Sequence, residues 1–390
     1  MTVETSAQVV LSRLDLERGR LERIQDFRRT GDGASLVNRL AGDRLNAIAS
    51  DLGMALDRLD RNLSSGTTQA SLAELAKLQR AVDRAAAEAL DLTMGALARR
   101  ANLDAGACAE SDILVDWLAR RIDRRFTRPT MPGNEESLHR STDVIHRRVP
   151  DYGLWDLPVM AHEFGHVVAS GLRSWDPRDN HIFSPVESWL DQFDGMRKSR
   201  ATELFCDVFA TYAIGPSYLC ALVFHRLSAI ASAAASESDS HPSDPSRVYA
   251  CQWTLQRIRG NWAQAHTFDR QMQYSRIAWE SMQQVGRAEA ALTTGQRAEL
   301  HVQLLACWHA LETNVSALRY GGVVTLHRLV EYLQAPQPGV DPVGFTPADV
   351  LNAAWTARLR GWYEPVDVPP DLEVRARSLL RCSVNGDSVG

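Results

Sequence analysis

Apolar residues recur at helical intervals along most of the chain. Val10, Leu14, Leu21 and Ile24 fall at near-heptad spacing, and residues 67–101 are rich in Ala, Leu and Arg with a helical period. "TGDGAS" at 30–35 and "NLSSGTT" at 62–68 read as turns, so 5–125 is expected to form an antiparallel helical bundle with solvated charged faces. From 127 the period is lost. "TRPTMPGNEESLHRSTDVIHRRVPDYGLWD" predicts one short strand near Thr142–Val149, ended by Pro150. From Leu157 the helical pattern returns, with polar breaks at 236–247 and 334–344. After the second break, Thr346 is read as an N-cap, Pro347 as the first helical residue and Asp349 as the partner in a capping box. There is no internal repeat. The pattern predicts a mainly α protein with a small strand element, in three regions: 1–126, 127–260 and 261–390.

Composition removes several classes of function. The 390 residues carry a net charge of −5, so no basic surface for nucleic acid is expected. No apolar run approaches the ~20 residues that span a bilayer, and the first residues lack the pattern of a secretory signal. The cysteines, Cys108, Cys206, Cys220, Cys251, Cys307 and Cys382, contain no CxxC pair and read as free thiols of a reducing cytoplasm. Lys77 and Lys198 are the only lysines, a bias expected of a GC-rich, bacterial genome.

The chemistry concentrates in "DLPVMAHEFGHVVASG", residues 156–171. Asp156 is expected to cap this helix, with Pro158 in its first turn. His162 and His166 lie one turn apart on one face, about 5–6 Å between Cβ atoms, a spacing that lets two imidazoles bind one Zn²⁺. Glu163 points roughly 100° around the helix, where it reaches a water on the metal rather than the metal itself. HExxH on a helix is a metallopeptidase signature with that mechanical basis. The bland alternative is a pair of ordinary histidines at a core edge. Gly165 argues against it, because a mid-helix glycine costs roughly 1 kcal/mol and calls for a close approach by another backbone or a substrate.

A third ligand is sought in "RKSRATELFCDVFATYAIGPSY", read as a helix from Ser199 to Ala213 that stops at Gly215-Pro216. Glu203 and Asp207 interrupt its apolar face one turn apart. Glu203 is the expected third ligand, and Asp207 the acceptor for the outer N–H of a ligand histidine. The competing reading has both acids in solvent or paired with Arg197 and Arg200.

"HEFGH" followed by "ELFCD" resembles the gluzincin zinc peptidases, whose pattern is HExxH then ExxxD. "SHPSDPSRVYACQWTL" resembles the HPPxxxR segment of the HtpX-like and CAAX prenyl-protease group, with Ser243 in place of the second proline. The likeness covers about 156–260. The gap from His166 to Glu203 is short for that group, and its membrane segments are missing here. The resemblance implies a zincin-like core at 127–260 flanked by helical regions, and a zinc-dependent endopeptidase with Glu163 as general base. It places His241 and Arg247 near the active site, His241 as oxyanion donor and Arg247 on substrate. Tyr218 and Tyr212 are weaker donor candidates.

The strand near 142–149 is expected to be an edge strand that pairs with extended peptide. His139 and His146 are expected at the surface. His309 and Glu312 read as a chance pair, and Trp253, Trp262, Trp308 and Trp355 as packing residues. The N-terminal helices could take a regulatory partner. Two other classes stay open: a zinc hydrolase of a non-peptide amide, and a non-catalytic helical interaction protein with a structural metal or none.

Overall fold

The computed structural model describes residues 50, 52–61, 68–122, 130–133, 137–139, 144–148, 153–169, 189–227, 241–259, 266–286, 292–335, 344–364 and 366–383. Among them the protein is mainly helical, with one small sheet. The heptad pattern at 10–24, the turn at 30–35, Trp262 and the final residues 384–390 lie outside the described residues. No described helix is long and apolar enough to cross a membrane.

Contacts divide the chain into two compact units. One comprises the described residues up to Cys108 together with those of Arg128–Val149, and the other those of Ala109–Thr127 and Pro150–Gly390. Residues 128–149, read in the sequence as part of the central region, therefore group with the first unit.

In the first unit, the long helix α1 (Thr68–Arg100) is followed by α2 (Ala107–Arg121), which begins there. A three-stranded sheet packs on α1. At Gly95 the approach leaves no room for a side chain: a Cβ there would stand 2.9 Å from the Pro132 carbonyl oxygen. The strands are β1 (Met131–Gly133), β2 (Ser137–His139) and β3 (Val144–Arg148), in the order β1-β3-β2. β3 pairs parallel with β1 (Met131 opposite His146) and antiparallel with β2 (Leu138 opposite Ile145). This corrects the sequence reading. The expected strand is present, but it is central, its backbone groups face neighbours on both sides, and it offers no edge to a peptide. His146 is also buried, at 3% exposure, rather than at the surface.

The second unit contains α3 (Val159–Ala169), α4 (Gly195–Ile214), α5 (Pro216–Ala221), α6 (Asp244–Arg259), α7 (His266–Gly286), α8 (Thr294–Val315), α9 (Val323–Gln334), α10 (Pro347–Tyr363) and α11 (Leu372–Ser383). Its centre is α4, packed by α3, α6, α8 and α10. Every residue from Leu204 to Ile214 is buried, as expected of a helix apolar on nearly all sides. α10 begins with the capping box read in the sequence: the Asp349 amide donates to Thr346 Oγ1 and the Thr346 amide to Asp349 Oδ2.

The turn between α4 and α5 decides what reaches the site. Gly215 adopts φ +72°, a left-handed value that favours glycine, and Pro216 opens the next helix. Asn352 of α10, fully buried, bridges the two helix ends. Its Nδ2 donates to the Ile214 carbonyl (2.7 Å), and its Oδ1 accepts the Ser217 amide (2.8 Å). Helix ends leave such groups without intrahelical partners, so one amide side chain here satisfies both.

Candidate metal centre

α3 and α4 pack closely because Gly165 has no side chain. A Cβ there would stand 3.0 Å from the Cα of Cys206. This is the backbone approach that the mid-helix glycine called for, and it brings the two functional faces together.

His162 Nε2 lies 3.1 Å from Glu203 Oε2, and His166 Nε2 lies 3.4 Å from Glu203 Oε1. Two ligand atoms at about 2.05 Å from a tetrahedral Zn²⁺ stand about 3.3 Å apart, so each histidine–Glu203 separation matches such an ion, through a different carboxylate oxygen in each case. Glu203 is largely buried and Asp207 fully so; neither lies out in solvent, and the arginine on Asp207 is Arg247. The His162 and His166 rings cross edge to face, 5.1 Å between centroids.

Asp207 stands behind His162. Its Oδ1 lies 3.0 Å from His162 Nδ1, the acceptor position that fixes a ligand histidine with Nε2 toward a metal. Tyr218, delivered by the Gly215 turn, donates its hydroxyl to the same Oδ1 (2.5 Å) and stands 2.9 Å from His162 Nδ1. Arg247 donates from Nε to Asp207 Oδ2 and from Nη2 to Oδ1, each 2.8 Å. The structure thus places Arg247 on Asp207, behind His162, rather than on substrate as the resemblance implied. His241, just before α6, puts Nε2 3.6 Å from Glu203 Oε2 on the exposed side of the cluster.

The electrostatics favour a cation. Burial alone would pull His162 down, but Asp207 and Glu203 outweigh it and hold the imidazole up at about 10. Burial works against the Glu203 carboxylate too, yet the His162 contact holds it down at about 2. Asp207 lies well below the carboxylate range despite its burial, because of Arg247 first and His162 next. Glu163, 6% exposed, is pushed up by burial. His162 thus stands between two carboxylates that both favour positive charge at its position.

Cys206 also brings a ligand atom near both histidines: the three atoms lie within 4.8 Å of one another. In the metal-free protein, burial and the nearby acids push its thiol well above the usual range; a bound metal would favour the thiolate, so Cys206 stands beside Glu203 as a candidate third ligand.

Other candidates fall away. Tyr212 donates its hydroxyl to Glu312 (2.8 Å), which also pairs with Arg319, so Glu312 is no ligand partner for the exposed His309. Asp156 does not cap α3. It lies in a 3-10 turn, Leu154–Asp156, 3.4 Å from both His225 Nδ1 and Arg226 Nη2. These residues sit on a π-helical turn, Leu222–Arg226, and Arg226 lies within electrostatic reach of Glu163. Tyr218's part in the cluster and this Asp156–Arg226 pair escaped the sequence reading. Both depend on a turn geometry that no local spacing encodes.

No protein-family model, no curated protein and no solved structure matches the chain.

Proposed function

We propose that the second unit carries a zincin-like core and that the protein is a zinc-dependent endopeptidase. The observation behind this reading is the approach of His162 and His166 to the two oxygens of Glu203, with Asp207 on the outer nitrogen of His162. His162, His166 and Glu203 would hold the metal. Bound there, zinc supplies Lewis acidity: it makes water a nucleophile at neutral pH and draws electrons from a carbonyl.

The chain's own residues do the rest. Glu163 accepts the proton of the attacking water and returns it to the leaving nitrogen. Its burial raises its proton affinity, which suits a group that must take and then give a proton. His241, on the open side, donates to the developing oxyanion. Asp207 keeps His162 in the tautomer with Nε2 available. Arg247 and Tyr218 keep Asp207 ionised and oriented. The substrate class is peptide or protein.

The test combines metal analysis with turnover. Wild-type protein and Glu163→Gln should each carry about one zinc per chain, and Glu203→Ala should lose it. On a peptide library, Glu163→Gln should lose about 10²–10⁴-fold in turnover. Zinc retained in Glu203→Ala, or full activity in Glu163→Gln, refutes the reading.

A further inference from the structure

A second site lies in the same unit, built around Arg358 of α10. Its guanidinium carbon stands 4.1 Å from the ring centroid of Trp155 and 4.6 Å from that of Trp362. Both indoles are held in place. Trp155 donates its Nε1–H to Glu373 (3.0 Å), and Trp362 leans on Phe224 with 5.3 Å between centroids. Stacking occupies the faces of a guanidinium and leaves only its in-plane N–H edges to form hydrogen bonds. Among the described residues Arg358 finds no acceptor; its Nη1 is closed off from water and from anything in the cavity, so Nε and Nη2 are the donors left to meet a ligand.

Arg358 lines a cavity of about 450 Å³, within the size range of small-ligand sites. Trp155, Trp362, Val368, Pro369 and Pro370 form much of its wall. Glu373 and Asp156 act on Arg358 only through space, with no hydrogen bond to it. Glu373 already accepts from the Leu154 amide, from Trp155 and from Arg377, and Asp367 is exposed.

We propose that this cavity binds an organic carboxylate carried on an apolar body. A planar carboxylate matches the Nε–Nη2 edge of a guanidinium lying over indole rings, and the valine and proline walls suit an apolar chain beside it. A phosphate dianion fits less well. It would meet a single cation, whose two in-plane N–H donors suit a planar anion better than a tetrahedral one. Such a carboxylate could be a peptide C-terminus, an acidic side chain or a small free acid.

The site shares no residue with the metal cluster, so it can be tested on metal-free full-length protein. Calorimetry would compare N-acetyl-leucine, N-acetyl-leucinamide, hexanoate, and a capped dipeptide amide with an internal glutamate. The expected result is saturable binding of N-acetyl-leucine, weakened about tenfold or more in the amide. Hexanoate and the glutamate peptide then rank the free-acid and side-chain sources. Arg358→Gln should abolish binding while zinc content, read separately, stays unchanged. Equal binding of acid and amide, no binding of any acid, or wild-type binding by a folded Arg358→Gln overturns the proposal. If that variant fails to fold, the acid–amide comparison on the wild type decides alone.

Discussion

The backbone of Gly165 rests against the backbone of Cys206, so the two helices that carry the candidate ligands meet where one of them has no side chain. A Cβ at Gly165 would stand 3.0 Å from Cys206 Cα, 3.2 Å from its Cβ and 3.3 Å from its Sγ. Alanine gains about 1 kcal/mol of helix propensity there. Overpacking a rigid core typically costs about 1–3 kcal/mol, and the obstacle is backbone in a fully buried stretch of α4. The clash should win. Gly165→Ala is expected to lose about 1 kcal/mol by urea unfolding and to weaken zinc binding about tenfold as Glu203 moves off the histidines, and Gly165→Val to do worse. An alanine variant as stable as wild type, with unchanged zinc affinity, would show that the helices can slide apart at no cost.

This contact also marks what the sequence can reveal. His162, Glu163, His166, Glu203 and Asp207 are legible because helical spacing sets which side chains share a face, and the oddity of Gly165 announces a close neighbour. The capping box at Thr346–Asp349 is equally local. Tyr218 is legible only as a weaker oxyanion donor; its contact with Asp207 is not, because it is made through the left-handed Gly215 and the Asn352 bridge, 134 residues beyond Tyr218 in the chain. The sheet was half legible. β3 has a strand pattern, but β1 and β2 are three residues each, too short for any period, so β3 looked like an edge when it is the centre.

Arg247, largely buried, and the fully buried Asp207 form a doubly hydrogen-bonded pair, and losing one partner of such a pair typically costs about 3–5 kcal/mol. Arg247→Met and Asp207→Asn should each destabilise the metal-free protein by about 3 kcal/mol. The double variant should lose far less than the sum, because no buried charge is left alone. Asp207→Asn should in addition weaken zinc about 10–100-fold through His162. Unfolding curves of the three variants measure the coupling. Additive losses would mean that the pair acts as two independent residues.

Asn352 holds the turn that delivers Tyr218. Asn352→Ala leaves the Ile214 carbonyl and the Ser217 amide without their side-chain partner in a site with no exposure. Each such group costs about 1–3 kcal/mol, so a total near 3 kcal/mol is expected, with weaker zinc binding as Tyr218 loosens. A loss below about 1 kcal/mol, with zinc affinity intact, would mean that water replaces the amide and that Tyr218 needs no such support.

Glu373 gives a prediction in pH. Burial opposes its charged form, but the Leu154 amide, Arg377 and the Trp155 indole outweigh that and hold its carboxyl below the ordinary 4.5. A carboxyl with a depressed folded-state pKa binds fewer protons in the native state than in the unfolded one. Its contribution to stability is therefore full above about pH 4.5 and disappears as the pH falls through the lower folded value. Glu373→Gln removes the charge while keeping the shape. The wild type should exceed the variant in stability at neutral pH, and the gap should close progressively below about pH 4.5. Urea unfolding of both proteins across that range isolates this group, because every other carboxylate cancels in the difference. A gap that stays constant with pH would mean that the charge on Glu373 adds nothing, and that its hydrogen bonds to Leu154 and Trp155 serve equally well from a neutral amide.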